Sequence, residues 1–532
     1  MAIDEAQRDA LVRRRILGGV ASNYIGKAIT VGTWVVLTPF ILGHLGPREY
    51  GIWTLIGSVV GYGALLDFGI GGAVIKYVAE YRAREADNEA RALVATALRL
   101  YAVLGLLAVV LAVVLAPLFP ALFRLSSEDG ALASRIVVVM GITLGVSLPC
   151  STASAVLRGL QRYDLVNLFA AIGALAGALG TVAVLQLGGG LLGMVAINLP
   201  LILLLQALQV RAIDRAAPEL RFGWRGAERR LAWTVLSYSS SVFVIQAAGQ
   251  LQSKTDEIVI GALLPVSAIT PYALARKLAE SAQLVTDQFL KVLLPLASEL
   301  HAGDDHERLR ALYIVSTRLT LGIVLPISCV LIFLAGPILT LWLGPAYASG
   351  APLVIILTIA SAIATSQWPA GNVLQGMARH RVLAAMALGN GLLNLALSLA
   401  LAPRLGLLGV AIGTLVPNAI ECLGLVLPYA LRSVGVRPSE VWREIGLPAL
   451  APVFPTALVV WALGRLIVAP GLLPVGGVAG VGALVYAVGY FAFPTTALER
   501  RSGLVALRDA GRMIGRAIRR GRAIVSVRSG SD

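Results

Sequence analysis

The sequence predicts an all-α polytopic membrane protein of about 14 transmembrane helices: two pseudo-symmetric six-helix lobes around a central cavity, plus two C-terminal helices. Three observations predict it: a composition too apolar for a soluble domain, a charge bias between alternate loops, and an internal repeat. Of 532 residues, 57% are hydrophobic and only 14% charged, with a mean hydropathy of +0.81. Soluble chains are about a quarter charged. A bilayer core takes roughly 20 apolar residues per helix, and fourteen segments of about that length occur.

The first segment, 16–43, follows Arg13, Arg14 and Arg15. It is too long for a signal peptide, contains Lys27 and has no small-residue cleavage pattern before Pro39, so it is expected to be retained. The second, 51–75, carries Asp67 among glycines. Its GIGG lacks the strand–turn–helix setting of a nucleotide loop, and DFG without other kinase elements is coincidence. Segments 93–118, 135–157, 165–187 and 190–210 complete a first six. An arginine-rich stretch, 211–230, comes next, with Leu220, Phe222 and Trp224 spaced for a surface-lying amphipathic segment. A second six follows at 233–262, 266–296, 312–336, 347–371, 381–401 and 404–430, then 446–468 and 474–496. The basic tail alternates apolar and arginine positions, as a segment lying on an anionic leaflet would.

Counting from an inside N-terminus, the inside segments hold 32 Lys and Arg and the outside loops 5. That bias follows the positive-inside rule and puts both termini in the cytoplasm. The net charge of +15 is therefore topology, and no recognition module for nucleic acid accompanies it. Cys150, Cys329 and Cys422 fall in apolar segments at unrelated spacings, which suggests neither a disulfide framework nor a metal site.

The repeat emerges at an offset of about 219 residues. EYRAREADNEARALVATALRL (from Glu80) lies over ELHAGDDHERLRALYIVSTRL (from Glu299) without a gap, and GLLG recurs at Gly190 and Gly406. Both copies start on the same side of the membrane, so this is a parallel repeat, an arrangement that in transporters holds substrate between the halves. The expected division is an N-lobe at 1–212, a linker at 213–232, a C-lobe at 233–431, two extra helices at 432–496 and a cytoplasmic tail at 497–532.

LGHLGPREYGIWTLIGSVVGYGALLDFGIGGAVIKYVAEY (from Leu42), DEIVIGALLPVSAITPYALARKLAE (from Asp256) and LLPLASEL (from Leu293) resemble the Wzx-type oligosaccharide or polysaccharide flippases of the multidrug/oligosaccharidyl-lipid/polysaccharide exporter superfamily. The resemblance implies a V-shaped pair of six-helix lobes in the plasma (inner) membrane. It also implies alternating-access translocation of a polyprenyl-pyrophosphate-linked oligosaccharide for polysaccharide biosynthesis. Expected partners are that substrate, membrane lipids and other polysaccharide-assembly proteins. No enzyme activity and no cofactor are expected, with coupling to H+ or Na+ left open.

Intramembrane charges cost about 2.5–3.5 kcal/mol each on insertion scales, so they face a cavity or a partner. Asp287 with Lys291, Arg276 with Glu280, and Lys254 with Glu257 stand three or four residues apart and can pair locally. Lys277 shares Glu280 with Arg276. Lys27, Asp67 and Glu421 have no acid or base one turn away, and Asp67 can reach Lys27 on the neighbouring helix. Arg99 and Arg318 are repeat equivalents that can snorkel. A pyrophosphate needs fixed cations, so Lys27, Arg99, Lys254, Arg276, Lys277 and Arg318 form the expected cationic lining. Asp67, Asp256, Glu257, Asp287 and Glu421 are candidates for ion coupling or interhelical pairing. Two rival functions remain. A drug/cation antiporter needs an acidic cavity; a membrane glycan polymerase needs a large catalytic loop, and the outside loops are short.

Overall fold

The computed structural model describes the backbone of residues 5–492 apart from 221, 291–292 and 468. Side chains are described over the same span apart from 5–31, 238–245, 248, 253 and 288–289. Among the described residues there is no strand, and eleven helices are long and apolar enough to cross a membrane. Those eleven account for every predicted segment except the first, seventh and eighth.

The first segment has no separate loop to end it. Helix α1 (Glu5–Gly61) carries the chain from the first span into the second through a kink at Gly46 (φ 72°, ψ 172°), a backbone that glycine adopts without a Cβ penalty, followed by Pro47. The second segment, expected to be continuous, is broken. A tight turn at Tyr62–Asp67 and two left-handed residues, Phe68 (φ 47°) and Gly69 (φ 77°), precede α2 (Ile70–Ala83). Next come α3 (Asp87–Leu115), a short α4 (Phe119–Leu122), and α5 (Ser127–Gly159), where the Ser126 hydroxyl caps the Asp129 N–H. The first copy closes with α6 (Tyr163–Gln186), α7 (Gly190–Ala196) and α8 (Asn198–Ala216).

The seventh segment is the long helix α9 (Arg229–Leu263). The eighth, expected as one helix, is interrupted at Glu280, after α10 (Ile269–Ala279); α11 (Ser281–Leu290) and α12 (Leu293–Ala302) follow, on either side of residues 291–292, which lie outside the described residues. The rest of the second copy comprises α13 (His306–Phe333), α14 (Ala335–Leu343), α15 (Ala351–Ser366), α16 (Trp368–Gly376), α17 (His380–Leu405), α18 (Leu407–Ala419) and α19 (Leu427–Val434). Between α18 and α19 the helix widens to π geometry over Ile420–Val426. Short α20 (Pro438–Val441) and α21 (Leu447–Leu450) lead to α22 (Val453–Gly464) and α23 (Leu472–Ala492). The basic tail lies outside the described residues.

The repeat is visible in the backbone. Helices α3 and α13 begin 219 residues apart and α6 and α17 begin 217 apart. The left-handed turn residues before them, Glu85 and Asp304, then Gln161 and Ala378, recur at the same two offsets. Tyr50, Ile52 and Leu55 of α1 share one apolar core with Tyr272 of α10 and Val354 of α15, so the copies are packed together along α1. Val103, Leu106, Val110 and Val114 of α3 are exposed, an apolar face suited to acyl chains.

Helices α3 and α5 cross backbone to backbone. A Cβ on Gly105 would stand 2.2 Å from the Gly145 carbonyl oxygen. Small residues allow such approach between membrane helices, where packing rather than hydrophobicity drives association. Gly105→Leu is therefore expected to remove most of the monodisperse protein on fluorescence-detected gel filtration, while Val103→Leu, at an exposed position, leaves it unchanged.

The linker is less of a surface float than its pattern implies. Leu220 and Leu231 are buried, the Arg91 guanidinium donates to the Glu219 carbonyl at 2.8 Å, and Arg82 pairs with the Glu219 carboxylate. The Glu228 N–H donates to the Thr96 hydroxyl at 3.0 Å. The stretch is thus docked on α2 and α3, with Trp224 left exposed.

Candidate functional site

A polar cavity of about 510 Å³ opens in the second copy, walled by α9, α10, α11, α15, α16, α17 and α18. Among the described residues its lining belongs to the second copy.

At one end Asp256 of α9 is 1% exposed. Its Oδ2 accepts from the Tyr272 hydroxyl at 2.6 Å and from the Thr414 hydroxyl at 2.9 Å. Asn394 Nδ2 donates to the same Thr414 oxygen at 3.2 Å. Asp256 Oδ1 and Asn394 Oδ1 are buried and have no hydrogen-bond partner among the described residues. Such orphaned oxygens are destabilising unless something fills the gap. Carboxylate, amide carbonyl and hydroxyl oxygens together make the donor set of a hard cation. Among the described residues, no three His, Cys, Asp or Glu side chains converge into a metal centre.

Beside this cluster, Arg276 of α10 reaches Glu257 Oε1 at 2.7 Å and Glu280 Oε1 at 3.5 Å. The expected Arg276–Glu280 pair is present. The local Lys254–Glu257 alternative is replaced: Glu257, 1% exposed, takes the Arg276 guanidinium instead. Lys254 lies across Gly61 of α1, its Cε 3.4 Å from where a Cβ would stand. Glu421 sits on the π turn and accepts from Asn390 and from Gln252 Nε2 at 3.2 Å, so its partner comes from other helices, one of the two options left open for it. Such π turns concentrate at functional sites because the extra residue re-aims a side chain.

The remaining charges are scattered. Lys277 turns toward the first copy, where its Nζ donates to the Tyr50 hydroxyl at 3.1 Å and sits over the Trp34 and Tyr50 rings. Asp67, at the break in the second span, accepts from the Tyr101 hydroxyl; the Lys27 side chain lies outside the described residues. Arg99 and Arg318 are equivalent in sequence but not in setting. Arg99 is exposed and its Nε donates to the Trp224 carbonyl at 3.2 Å, whereas Arg318 is buried with its guanidinium 5.2 Å from the Tyr490 ring of α23. Neither lines the cavity, because each is held by a segment outside the repeated unit. Asp287 is half-buried, and Lys291 lies outside the described residues.

A reading based on ionisable residues misses the neutral members of the site: Gln252, Tyr272, Asn390, Asn394 and Thr414. One signal was available. NGLLN places Asn390 and Asn394 one turn apart in an otherwise apolar segment.

Comparison with known proteins agrees with the architecture. No curated protein sequence matches the chain. A solved structure described as lipid II flippase MurJ in an inward closed conformation superposes with a TM-score of 0.68 at 15% identity, covering 90% of this chain and 98% of that one. An inward-facing multidrug resistance MATE family transporter of the MOP superfamily gives 0.65 at 14% identity, covering 77% and 94%. An outward-facing one gives 0.57 at 14% identity, covering 78% and 95%. At these identities the likeness carries the fold alone. The family model described as polysaccharide biosynthesis protein matches residues 44–352, more than half of the sequence, and the chain therefore belongs to that family.

Proposed function

We propose that the protein is a flippase that moves a polyprenyl-pyrophosphate-linked oligosaccharide from the inner to the outer leaflet of the plasma membrane, with both termini cytoplasmic. The observation that carries this reading is a cationic seam. Lys254, Arg276 and Lys277 gather where α9 and α10 meet α1, and two of them reach directly onto the first copy. A dianionic linkage needs such fixed cations in a low-dielectric path, while the lipid tail stays in the bilayer.

Alternating access requires the seam to open. Beside the apolar core the copies share along α1, polar contacts cross it: the Tyr62 and Thr255 hydroxyls at 2.8 Å, the Thr270 hydroxyl donating to the Pro47 carbonyl at 2.5 Å, the Trp342 indole N–H donating to the Val35 carbonyl at 2.8 Å, and Lys277 on Tyr50. Polar bonds of this kind can exchange for bonds to a phosphate at small net cost. A short reversible thiol-specific cross-linker between cysteines at Tyr62 and Thr255 is expected to stop transport, and reduction to restore it. Transport that continues with the bridge in place would exclude motion at this seam.

For coupling, Asp256, Asn394 and Thr414 would hold the cation, with sodium favoured by their all-oxygen donor set. A second reading is favoured by the cavity carboxylates Asp256, Glu280 and Glu421: export of a cationic small molecule. Deletion separates the two. Accumulation of lipid-linked glycan on the cytoplasmic leaflet supports the flippase; accumulation of an organic cation without it supports the rival.

A further inference from the structure

We infer that the cavity of the second copy is a reading site for a neutral sugar ring of the transported headgroup, stacked on Trp368 and selected against acidic sugars. The inference rests on the flippase reading and adds where, and by what chemistry, the glycan is recognised.

The amides carry the argument. Gln252 Nε2 donates to Glu421 and to the Ala387 carbonyl, Gln283 Nε2 to the Ser361 hydroxyl, and Gln367 Nε2 to the Ser366 hydroxyl. Asn372 Nδ2 donates to the Trp368 carbonyl, Asn390 Nδ2 to Asn418 and Glu421, and Asn394 Nδ2 to Thr414. In all six at least one amide N–H is engaged within the protein and the carbonyl oxygen is left for a ligand, while Gln283, Gln367, Asn372 and Asn394 keep a second N–H and Asn418, whose oxygen accepts from Asn390, adds its own. Gln367 is 8% exposed with its Oε1 unpartnered among the described residues, so the acceptor is built in before any ligand arrives. A lining that offers amide carbonyls together with residual N–H groups suits a ligand whose groups both donate and accept, as each sugar hydroxyl does.

Charge narrows the class. The cavity presents Asp256, Glu280 and Glu421, and the Arg276 guanidinium in its lining is already engaged by Glu257 and Glu280. The carboxylate of a uronate, or a phosphate, would place a second negative charge against those carboxylates, so the pyrophosphate belongs at the seam and the neutral sugar here. Of these acids Glu280 is paired with Arg276, Asp256 is given to the coupling ion, and Glu421 is held by the amides of Asn390 and Gln252, so the open amide groups of the wall are what remains to read a larger ligand.

Geometry completes the site. Trp368, Asn372 and Gln375 stand at i, i+4 and i+7 on α16, hence on one face, and all three line the cavity. An indole offers a flat apolar surface for the C–H face of a pyranose while the two amides flank its hydroxyls. A volume of about 510 Å³ lies within the ~300–1,000 Å³ usual for small-molecule sites.

The test uses the full chain in lipid nanodiscs and saturation-transfer NMR. Probes are the methyl glycosides of glucose, galactose, mannose and rhamnose, methyl glucuronide, and tetraphenylphosphonium. The expected result is transfer to at least one neutral glycoside, lost in Trp368→Leu and Asn372→Leu, kept in Trp368→Phe, and weaker by at least about fivefold for the glucuronide. Retention by Trp368→Phe, with unchanged gel-filtration profiles, separates lost stacking from lost folding. Absence of signal from every neutral glycoside, signal indifferent to both leucine variants, Trp368-dependent binding of the glucuronide as strong as that of the neutral glycosides, or Trp368-dependent binding of the phosphonium overturns the inference. If only this inference fails, Trp368→Leu still flips the native lipid-linked glycan at the wild-type rate. If the flippase reading itself fails, cells lacking the protein accumulate no lipid-linked glycan even though glycoside binding to the cavity persists.

Discussion

Arg276→Ala is expected to abolish flipping and to destabilise the protein by about 3–5 kcal/mol, the usual consequence of removing one partner from a buried ion pair. The cause of the second effect is Glu257, which is 1% exposed and would be left buried with no guanidinium beside it. Stability and transport can then be pulled apart. Glu257→Gln added to Arg276→Ala removes the uncompensated charge, so the double variant should recover most of the thermal stability in detergent. It should not recover transport, because the cation that completes the seam with Lys254 and Lys277 is still missing. The comparison is a double-mutant cycle, and the two residues are in contact, so strong non-additivity in stability is required. If the double variant flips lipid-linked glycan normally, Arg276 serves only to neutralise Glu257 and the seam has been misassigned. Arg276→Lys is the complementary probe. A single ammonium cannot bridge Glu257 and Glu280 as the planar guanidinium does, so partial loss of both properties is expected.

How much of this was legible in the sequence depended on the kind of physics involved. Membrane helices are written in long apolar runs, and the repeat showed because α3 and α13 start from matched left-handed turns and similar residues. The breaks were not legible. Asp67-Phe68-Gly69 reads as apolar helix with one acid, and only the fold reveals that the helix stops there and that Tyr101 claims the carboxylate. The eighth segment failed for the same reason, since hydropathy does not register the interruption between α10 and α11 at Glu280. Pairing followed spacing only in part. Arg276 and Glu280 are one turn apart and do meet, yet Glu257 goes to Arg276 across helices instead of to Lys254 along its own. Arg99 and Arg318 carry the opposite lesson: similar local sequence, but different neighbours supplied by the linker and by α23. Neutral polar residues were the larger blind spot. An asparagine among leucines gives no charge signal, although Asn390 and Asn394 organise two carboxylates between them through Glu421 and Thr414.

The second large effect is expected at Asp256. Asp256→Asn keeps the shape and one oxygen, so the Tyr272 and Thr414 bonds can largely re-form. It deletes the charge that a bound cation requires. The variant is accordingly expected to fold, to lose all dependence of transport on sodium, and to run at the residual rate of wild type in sodium-free buffer. For wild type, sodium should change the apparent affinity for the lipid-linked glycan by roughly 5–150-fold, the range of ordinary coupling free energies. Linkage makes the effect reciprocal, so the glycan lipid must tighten sodium binding by the same factor, measurable by calorimetry on the full chain. The physical route is short. Asp256 is adjacent in sequence to Glu257, which holds Arg276, and Thr414 joins the Asp256 carboxylate to the helix that runs on to Glu421. A cation drawing in Asp256 and Asn394 therefore pulls on both the seam and the cavity wall, where the substrate would be held. Asn394→Ala should reproduce the sodium phenotype in weaker form, since it removes one neutral ligand rather than the charge. Were Asp256→Asn to keep the sodium response, the orphaned oxygens would have to be satisfied in some other way, and a proton gradient would become the driving force to examine.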